Sequence, residues 1–495
     1  MRDELTDRIA DTEVYRRAVG HFRKSGITLP TFGQLIDPTR LDKDLRTAVE
    51  AVDADEPAPL NLFRVHWFND AERKSIAAVP GHVVLPSALT GVAARIIVAI
   101  GSRFPMIHAH KVLAAYACLA PRIVTGRFDP TSQRAVWPST GNYCRGGVAI
   151  SRILGCRGLA ILPEGMSRER FDWLEAWVAD KSDIHRTPGS ESNVKEIYDA
   201  CNALAKDPDN VILNQFAEFG NYIVHRAVTG PALEKIIDAV RGDTAWNARA
   251  FVAASGSAGT LAAGDYLKER HGTAIAVVEA AECPTLLLNG YGEHNIQGIG
   301  DKHVPLIHNV LNTDYVIGVS DRSTDALNVL FNTAAGRAFL ARRKGLPAPE
   351  IDKLSCLGLS GIANVIAAIK LARYMQLGAE EAVITVATDD ATLYRTELEK
   401  SEAELAGGPI DEVDAAEIFG RHLAAITTDN LIETTRRDRE RMFNLGYYTW
   451  VEQQNVSLAD FDRRRDQAFW DDLMRMVPAW DRLIERFNAE TSGNM

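Results

Sequence analysis

"FVAASGSAGTLAAGDYL", residues 251–267, runs from an apolar, β-rich segment through a small Ser/Gly turn into a helical pattern that Thr260 opens. A strand feeding a helix through so tight a turn is the building unit of α/β folds. The turn also leaves the N–H groups of residues 256–260 free at the positive end of a helix, which makes a cradle for a phosphate. The glycines fall at 256, 259 and 264, so this is not the dinucleotide pattern G-x-G-x-x-G, and the acidic partner of that pattern is not evident.

Outward from this turn the alternation repeats. Strands are expected over 94–100, 157–163, 211–216, 248–255, 274–280, 315–320 and 381–388, with helical patterns such as 259–272 and 360–378 between them. That order predicts open, mainly parallel sheets flanked by helices over about 86–400. Residues 1–85 read as a mixed helix-and-loop extension. After about 400 the chain becomes charged, Trp-bearing and helically periodic, a helical C-terminal extension over 401–495 packed across the core or a subunit interface. Its Trp and Phe residues over 447–480 read as core or dimer contact.

With 495 residues the chain is long enough for two or three domains. It is 46% hydrophobic and 24% charged with a net charge of −11, a globular composition that argues against nucleic acid as a partner. Six scattered cysteines without a CxxC pair suit a reducing cytoplasm and give no zinc signature. The N-terminus lacks the apolar core of a signal peptide, and runs such as "TGVAARIIVAIG" are too short and interrupted to span a membrane. The expected protein is cytoplasmic.

Three further stretches carry chemistry. In "FPMIHAHKVLAAYACLAP" (104–121), Lys111 stands at a helix start beside His108 and His110, a candidate nucleophilic amine. "WPSTGNYCRGG" (137–147) sets Ser139, Thr140, Gly141 and Asn142 before a helix expected from about Gly146. Such a loop either caps the helix or closes on a carboxylate. In "SCLGLSGIANVIAAIKLA" (355–372), Ser360 opens a long helix, where it is an N-cap or a neutral partner for a ring nitrogen. An amine, a carboxylate loop, a phosphate loop and a helix-start hydroxyl, in that order, form a set of parts for holding pyridoxal phosphate.

On these residues the chain resembles the fold-type II pyridoxal-phosphate enzymes, the group of cysteine synthase, cystathionine β-synthase, threonine dehydratase and the tryptophan synthase β chain. "STGN" is similar to their substrate-carboxylate loop and "SGSAGT" (255–260) to their phosphate loop. "NQFAEFGNYIVHRAVTGPALEKI" (214–236), "VVEAAECPTLL" (277–287), "GEHNIQGIGDKHVP" (292–305), "GLSGIANVIAA" (358–368) and "AVITVATDDATLYRTEL" (382–398) resemble cysteine synthase segments in collinear order. The lysine motif "HAHK" is closer to the A-H-K of tryptophan synthase β. In the substrate loop, Tyr143 and Cys144 stand where small residues are the rule.

The resemblance implies two open, mainly parallel α/β domains with pyridoxal phosphate in the cleft and a smaller mobile subdomain over about 112–230. It implies Lys111 as the lysine that binds the cofactor, and Gly256, Ser257, Ala258, Gly259 and Thr260 as its phosphate loop. Asn142 lies at its 3′-oxygen and Ser360 at its pyridine nitrogen. Ser139, Thr140, Gly141, Tyr143 and Gln215 face a small amino-acid substrate. The reaction implied is β-elimination or β-replacement on a serine- or cysteine-type amino acid through an aminoacrylate, with Lys111 as base, in a homodimer. An amino-acid dehydratase or ammonia-lyase, and a non-catalytic or regulatory paralogue, are the other readings. Asp389 and Asp390 read as a strand-end turn, with an acid on the pyridine nitrogen, which would change the electronics of the ring, as the other reading. His294, His303 and His308 could reach the mouth of the site, with Asp301 and Lys302 as a gate, and no metal-ligand spacing such as HExxH appears.

Overall fold

The computed structural model describes residues 5–242, 244–300 and 302–493. Among the described residues eleven strands form two sheets: His82–Leu85 (β1), Arg95–Ile100 (β2), Arg134–Pro138 (β3), Arg157–Pro163 (β4), Ile184–Thr187 (β5), Asn210–Ile212 (β6), Asn247–Ala254 (β7), Ala274–Ala280 (β8), Tyr315–Val319 (β9), Glu381–Ala387 (β10) and Leu431–Glu433 (β11). The larger sheet has the order β1-β2-β10-β7-β8-β9-β11 and the smaller β5-β4-β3-β6. Every pairing is parallel except at the two edges of the larger sheet, where β1 runs against β2 and β11 against β9.

Parallel strands need a crossover, and the crossing helices cover both faces, so the strands read as nearly continuous apolar runs. Because successive side chains alternate, Ile97, Phe251, Ile275 and Ile384 enter one hydrophobic core. Ile96, Val252, Val278 and Val383 enter a second on the other face.

Both extensions belong to this body. The N-terminal helix Thr12–Ser25 packs on the C-terminal helix Met476–Ser492, with the Phe22 and Phe487 rings 5.1 Å apart and edge-on. Asp481 accepts the N–H groups of Phe32 (2.6 Å) and Gly33 (3.0 Å), and Asn488 exchanges hydrogen bonds with the Leu29 backbone. Trp450, Trp470 and Trp480 are buried in the first core, as expected of them, and the extension supplies the edge strand β11. Among the described residues no single helix is long and apolar enough to cross a membrane.

The strand ends place the site. The carboxyl ends of β7, β10, β3 and β6 lead directly into Ser255–Thr260, Thr388–Asp389, Ser139–Asn142 and Leu213–Gln215, and the segment after β2 leads to Lys111. In open α/β sheets ligands bind at these ends.

Candidate active site

Lys111 is the first residue of the helix Lys111–Val124, so its stem emerges where the helix leaves the loop after β2. Its Nζ donates to Ser257 Oγ at 3.1 Å. The same hydroxyl accepts from Asn221 Nδ2 at 3.0 Å, whose other bond goes to the Gln215 carbonyl. The amine expected from one motif and the loop expected from another therefore meet.

The loop is shaped for backbone approach. A Cβ at Gly256 would lie 2.6 Å from the Gly298 carbonyl oxygen, and one at Gly259 would lie 2.2 Å from Asn221 Oδ1. Ala258 takes φ +65°, the left-handed turn that redirects the following N–H groups. A short helical turn, Gly259–Leu261, then passes into the helix Ala262–His271. Thr260 Oγ1 is bound by His110 Nε2 at 3.1 Å. His110 is stacked on Trp67 of the N-terminal extension and edge-on to His225. Burial, with His225 and Lys111 nearby, holds His110 well below its ordinary pKa, so it is neutral. Lys111, Gly256, Ala258, Gly259 and Thr260 line one cavity together with Gly298, Asn364 and Thr388.

The second loop closes over the ends of β3 and β10. Asn142 is the first residue of the helix Asn142–Ile153, which starts four residues earlier than its apolar pattern suggested. Its Nδ2 donates to Asp389 Oδ2 at 2.6 Å, and its Oδ1 accepts from Arg145 Nη1 at 3.0 Å. Ser139 Oγ accepts the Gly141 N–H at 3.0 Å, which folds the loop back on itself. Gly141 has φ +148°, and a Cβ there would lie 2.4 Å from Arg170 Nε. Arg170 donates to Ser167 Oγ (2.8 Å), Gln297 Oε1 and the Tyr394 hydroxyl (3.0 Å), and Tyr394 donates to Asp389 (2.8 Å).

This network is charged and dry. Burial pushes Asp389 up, opposed by Arg170 and by the hydrogen bonds from Asn142 and Tyr394. Burial pushes Glu191, beside Thr140 and the Gly298 N–H, up to about 8. It lowers Arg145 to about 10, with Arg170 adding to the effect.

Several expectations change. Tyr143, expected at the substrate, is turned into the core. Its ring packs edge-on against Trp137 at 5.4 Å and its hydroxyl lies beside Cys118, because the early helix start rotates this position inward. Cys144 is also buried, donating to the Gly141 carbonyl, with its thiol raised to about 12 by burial. Asp389 stands at the bend after β10, as the strand-end reading has it, and is buried with its carboxylate holding Asn142, while Asp390 caps the following turn through the Thr392 N–H. His294 binds the Gly300 carbonyl, His303 the Tyr198 hydroxyl and His308 the Thr313 hydroxyl, so all three are held in structural roles. Asp301 lies outside the described residues, and Lys302 faces Glu293. Gln215 is buried after β6, and Ser360 is buried at the second position of the helix Leu359–Tyr374. Asn364, one turn further along that helix, went unnoticed in the sequence; its signal is a single amide in the apolar run "GIANVIAAI".

A family model described as pyridoxal-phosphate dependent enzyme matches residues 105–389. A probable cysteine synthase of Bacillus subtilis (strain 168) is 28% identical over 286 residues, 57% of this chain and 83% of the relative. Cysteine synthase B of Campylobacter jejuni is 30% identical over 254 residues, 50% of this chain and 74% of the relative. Among solved structures, the O-acetylserine dependent cystathionine beta-synthase from Helicobacter pylori superposes with a TM-score of 0.52 at 21% identity, covering 64% of this chain and 94% of that one.

Proposed function

Because the chain belongs to the family of pyridoxal-phosphate-dependent enzymes, of the cysteine synthase type, we propose that it replaces the β-substituent of a small serine- or cysteine-type amino acid. The observation that carries this is the 3.1 Å bond from the Lys111 amine to Ser257 in the glycine-lined loop, which sets a nucleophilic amine beside a phosphate cradle. The residues present fit pyridoxal phosphate: Gly256 and Gly259 let the loop backbone lie against Gly298 and Asn221, where a Cβ would not fit, and so set the loop's N–H groups at a helix start beside the Lys111 amine. When bound, the cofactor withdraws electrons from Cα, so that an α-proton can leave and a β-substituent can depart with its electron pair.

The chain's own residues do the rest. The N–H groups of Gly256–Thr260 bind the phosphate, with His110 fixing the Thr260 hydroxyl. Asn142, held between Asp389 and Arg145, presents its amide to the 3′-oxygen. Ser139, Thr140, Gly141 and Gln215 receive the substrate carboxylate. Lys111 Nζ takes the α-proton, with His110 and His225 beside it kept neutral by burial. The loop residues Ser139, Thr140 and Asn142 are all buried, which excludes water and favours addition of a second nucleophile over hydrolysis to a keto acid. Residues 112–230 are the part we propose to move when the site opens.

The cysteine synthases among the relatives suggest O-acetylserine as the first donor to test. Purified protein given O-acetylserine and sulfide should release cysteine and acetate, and Lys111→Ala should release neither. Pyruvate and ammonia formed without need of sulfide would instead identify an elimination enzyme. The setting we propose is a cytoplasmic homodimer, tested by light scattering at twice the 54.3 kDa chain mass.

A further inference from the structure

The helix Leu359–Tyr374 carries a polar side chain where its neighbours Ile362, Ala363, Val365 and Ile366 are all buried and apolar. Asn364 is 3% exposed and lines the cavity that also holds Lys111, Gly256 and Thr260. Its Nδ2 donates to the Val386 carbonyl at 2.8 Å. That carbonyl can only accept, so the amide cannot be turned over: nitrogen must face β10 and oxygen must face away. Asn364 Oδ1 is buried and has no hydrogen-bond partner among the described residues. A donor bound in the cavity would remove the cost of leaving such an atom unpaired.

We propose that Asn364 is the residue that meets the ring nitrogen of the cofactor, and that it does so as an acceptor, holding that nitrogen protonated. This rests on the pyridoxal-phosphate reading of the site. Of the polar groups on the cofactor, the phosphate and the 3′-oxygen are acceptors and would be repelled by a carbonyl oxygen. The ring nitrogen becomes a donor once it binds a proton. Thr260 and Lys111, two other polar side chains of the cavity, already face His110 and Ser257. Ser360 stands one turn earlier on the same face of the helix. A serine there would serve an unprotonated nitrogen by donating to its lone pair, whereas the Asn364 carbonyl selects the pyridinium. The proton comes from solvent as the cofactor binds, and the ring becomes the stronger electron sink.

The test is the ¹⁵N resonance of pyridoxal phosphate labelled at the ring nitrogen and bound to the full-length protein. The wild type should show the pyridinium position across the neutral range. Asn364→Val should move the resonance to the unprotonated position, Asn364→Asp should keep it protonated to higher pH, and Ser360→Ala should leave it unchanged. An unprotonated nitrogen in the wild type overturns the proposal without needing any variant, as does a resonance that Ser360→Ala moves and Asn364→Val does not. In those cases the cofactor is still bound, so the proposed function stands. Failure of the wild type to take up the cofactor would overturn both.

Discussion

Asn142 Nδ2 lies 2.6 Å from Asp389 Oδ2, and this bond joins the first turn of a helix on the four-stranded sheet to the end of β10 in the seven-stranded sheet. It lies at the centre of a buried group in which Arg170 and Tyr394 also reach Asp389. This hydrogen bond, between a helix on one sheet and a strand end of the other, couples the placement of Asn142 to the packing of the two sheets.

Removing that carboxylate tests the coupling. Asp389→Ala leaves the Arg170 guanidinium buried without its counter-charge, and breaking a buried pair in this way costs about 3–5 kcal/mol. Asp389→Asn keeps the shape and one acceptor. Thermal unfolding should show a large loss for the first and a smaller one for the second, with kcat falling most in Asp389→Ala, where Asn142 is no longer held, and less in Asp389→Asn, whose amide oxygen can still accept from it. Equal stability of Asp389→Ala and the wild type would refute the role assigned to the carboxylate.

Gly141→Ala should be damaging for a different reason. The backbone stands at φ +148° and the new Cβ would lie 2.4 Å from Arg170 Nε, and Arg170 is pinned by Ser167, Gln297 and Tyr394. A loss of about 1–3 kcal/mol is expected. Turnover should fall with it, while the cofactor, whose phosphate is held by the separate loop Gly256–Thr260, should lose only the part of its affinity that Asn142 supplies in a fluorescence titration.

Gly259→Ala acts chiefly on the cofactor. Its Cβ would lie 2.2 Å from Asn221 Oδ1 and displace the amide that holds Ser257. Cofactor affinity of the apoprotein should drop tenfold or more, about 1.4 kcal/mol, and the overlap with the buried Asn221 should also lower the melting temperature of the apoprotein. Unchanged affinity would mean that this loop is not the phosphate cradle.

Glu191 gives the pH dependence. Burial raises its folded pKa from 4.5 to about 8, so the folded state holds a proton that the unfolded state has released. The penalty is absent below about pH 4.5, grows as pH rises toward 8, and is constant above. At about 1.4 kcal/mol per unit it amounts to a few kcal/mol. Glu191→Gln, which mimics the protonated form, should therefore melt above the wild type at pH 8 and converge with it near pH 4. A melting difference that does not change with pH would show that Glu191 is ionised in the fold.

Much of this architecture was legible because parallel strands buried on both faces leave long apolar signals: β2, β4, β7, β8, β9 and β10 stand within a residue or so of where the pattern put them. The missed strands are short or polar. β1 has four residues at one sheet edge and β11 three at the other, within an extension expected to be helical, β5 reads "IHRT", and β3 was masked by the turn-forming loop that follows it. The strand expected over 211–216 stops at Ile212, because Asn214 Oδ1 takes the Phe216 N–H and turns the chain. At the site, Lys111 and the glycine loop stand out in the sequence because their chemistry needs particular residues in order, and the structure sets the two within one hydrogen bond of each other. The inward turn of Tyr143 and the burial of Asp389 and Asn364 were not legible, because local pattern does not carry which way a side chain turns.

The central claim is that Lys111 is the amine that holds pyridoxal phosphate against the loop Gly256–Thr260. Reduction of the coloured, purified protein with borohydride fixes the cofactor to whichever lysine carries it, and peptide mass spectrometry then reads the position. The account predicts the added mass on the peptide containing Lys111 and nowhere else, with no colour in Lys111→Ala. Attachment at another lysine, or a protein that stays colourless after incubation with the cofactor, would contradict it.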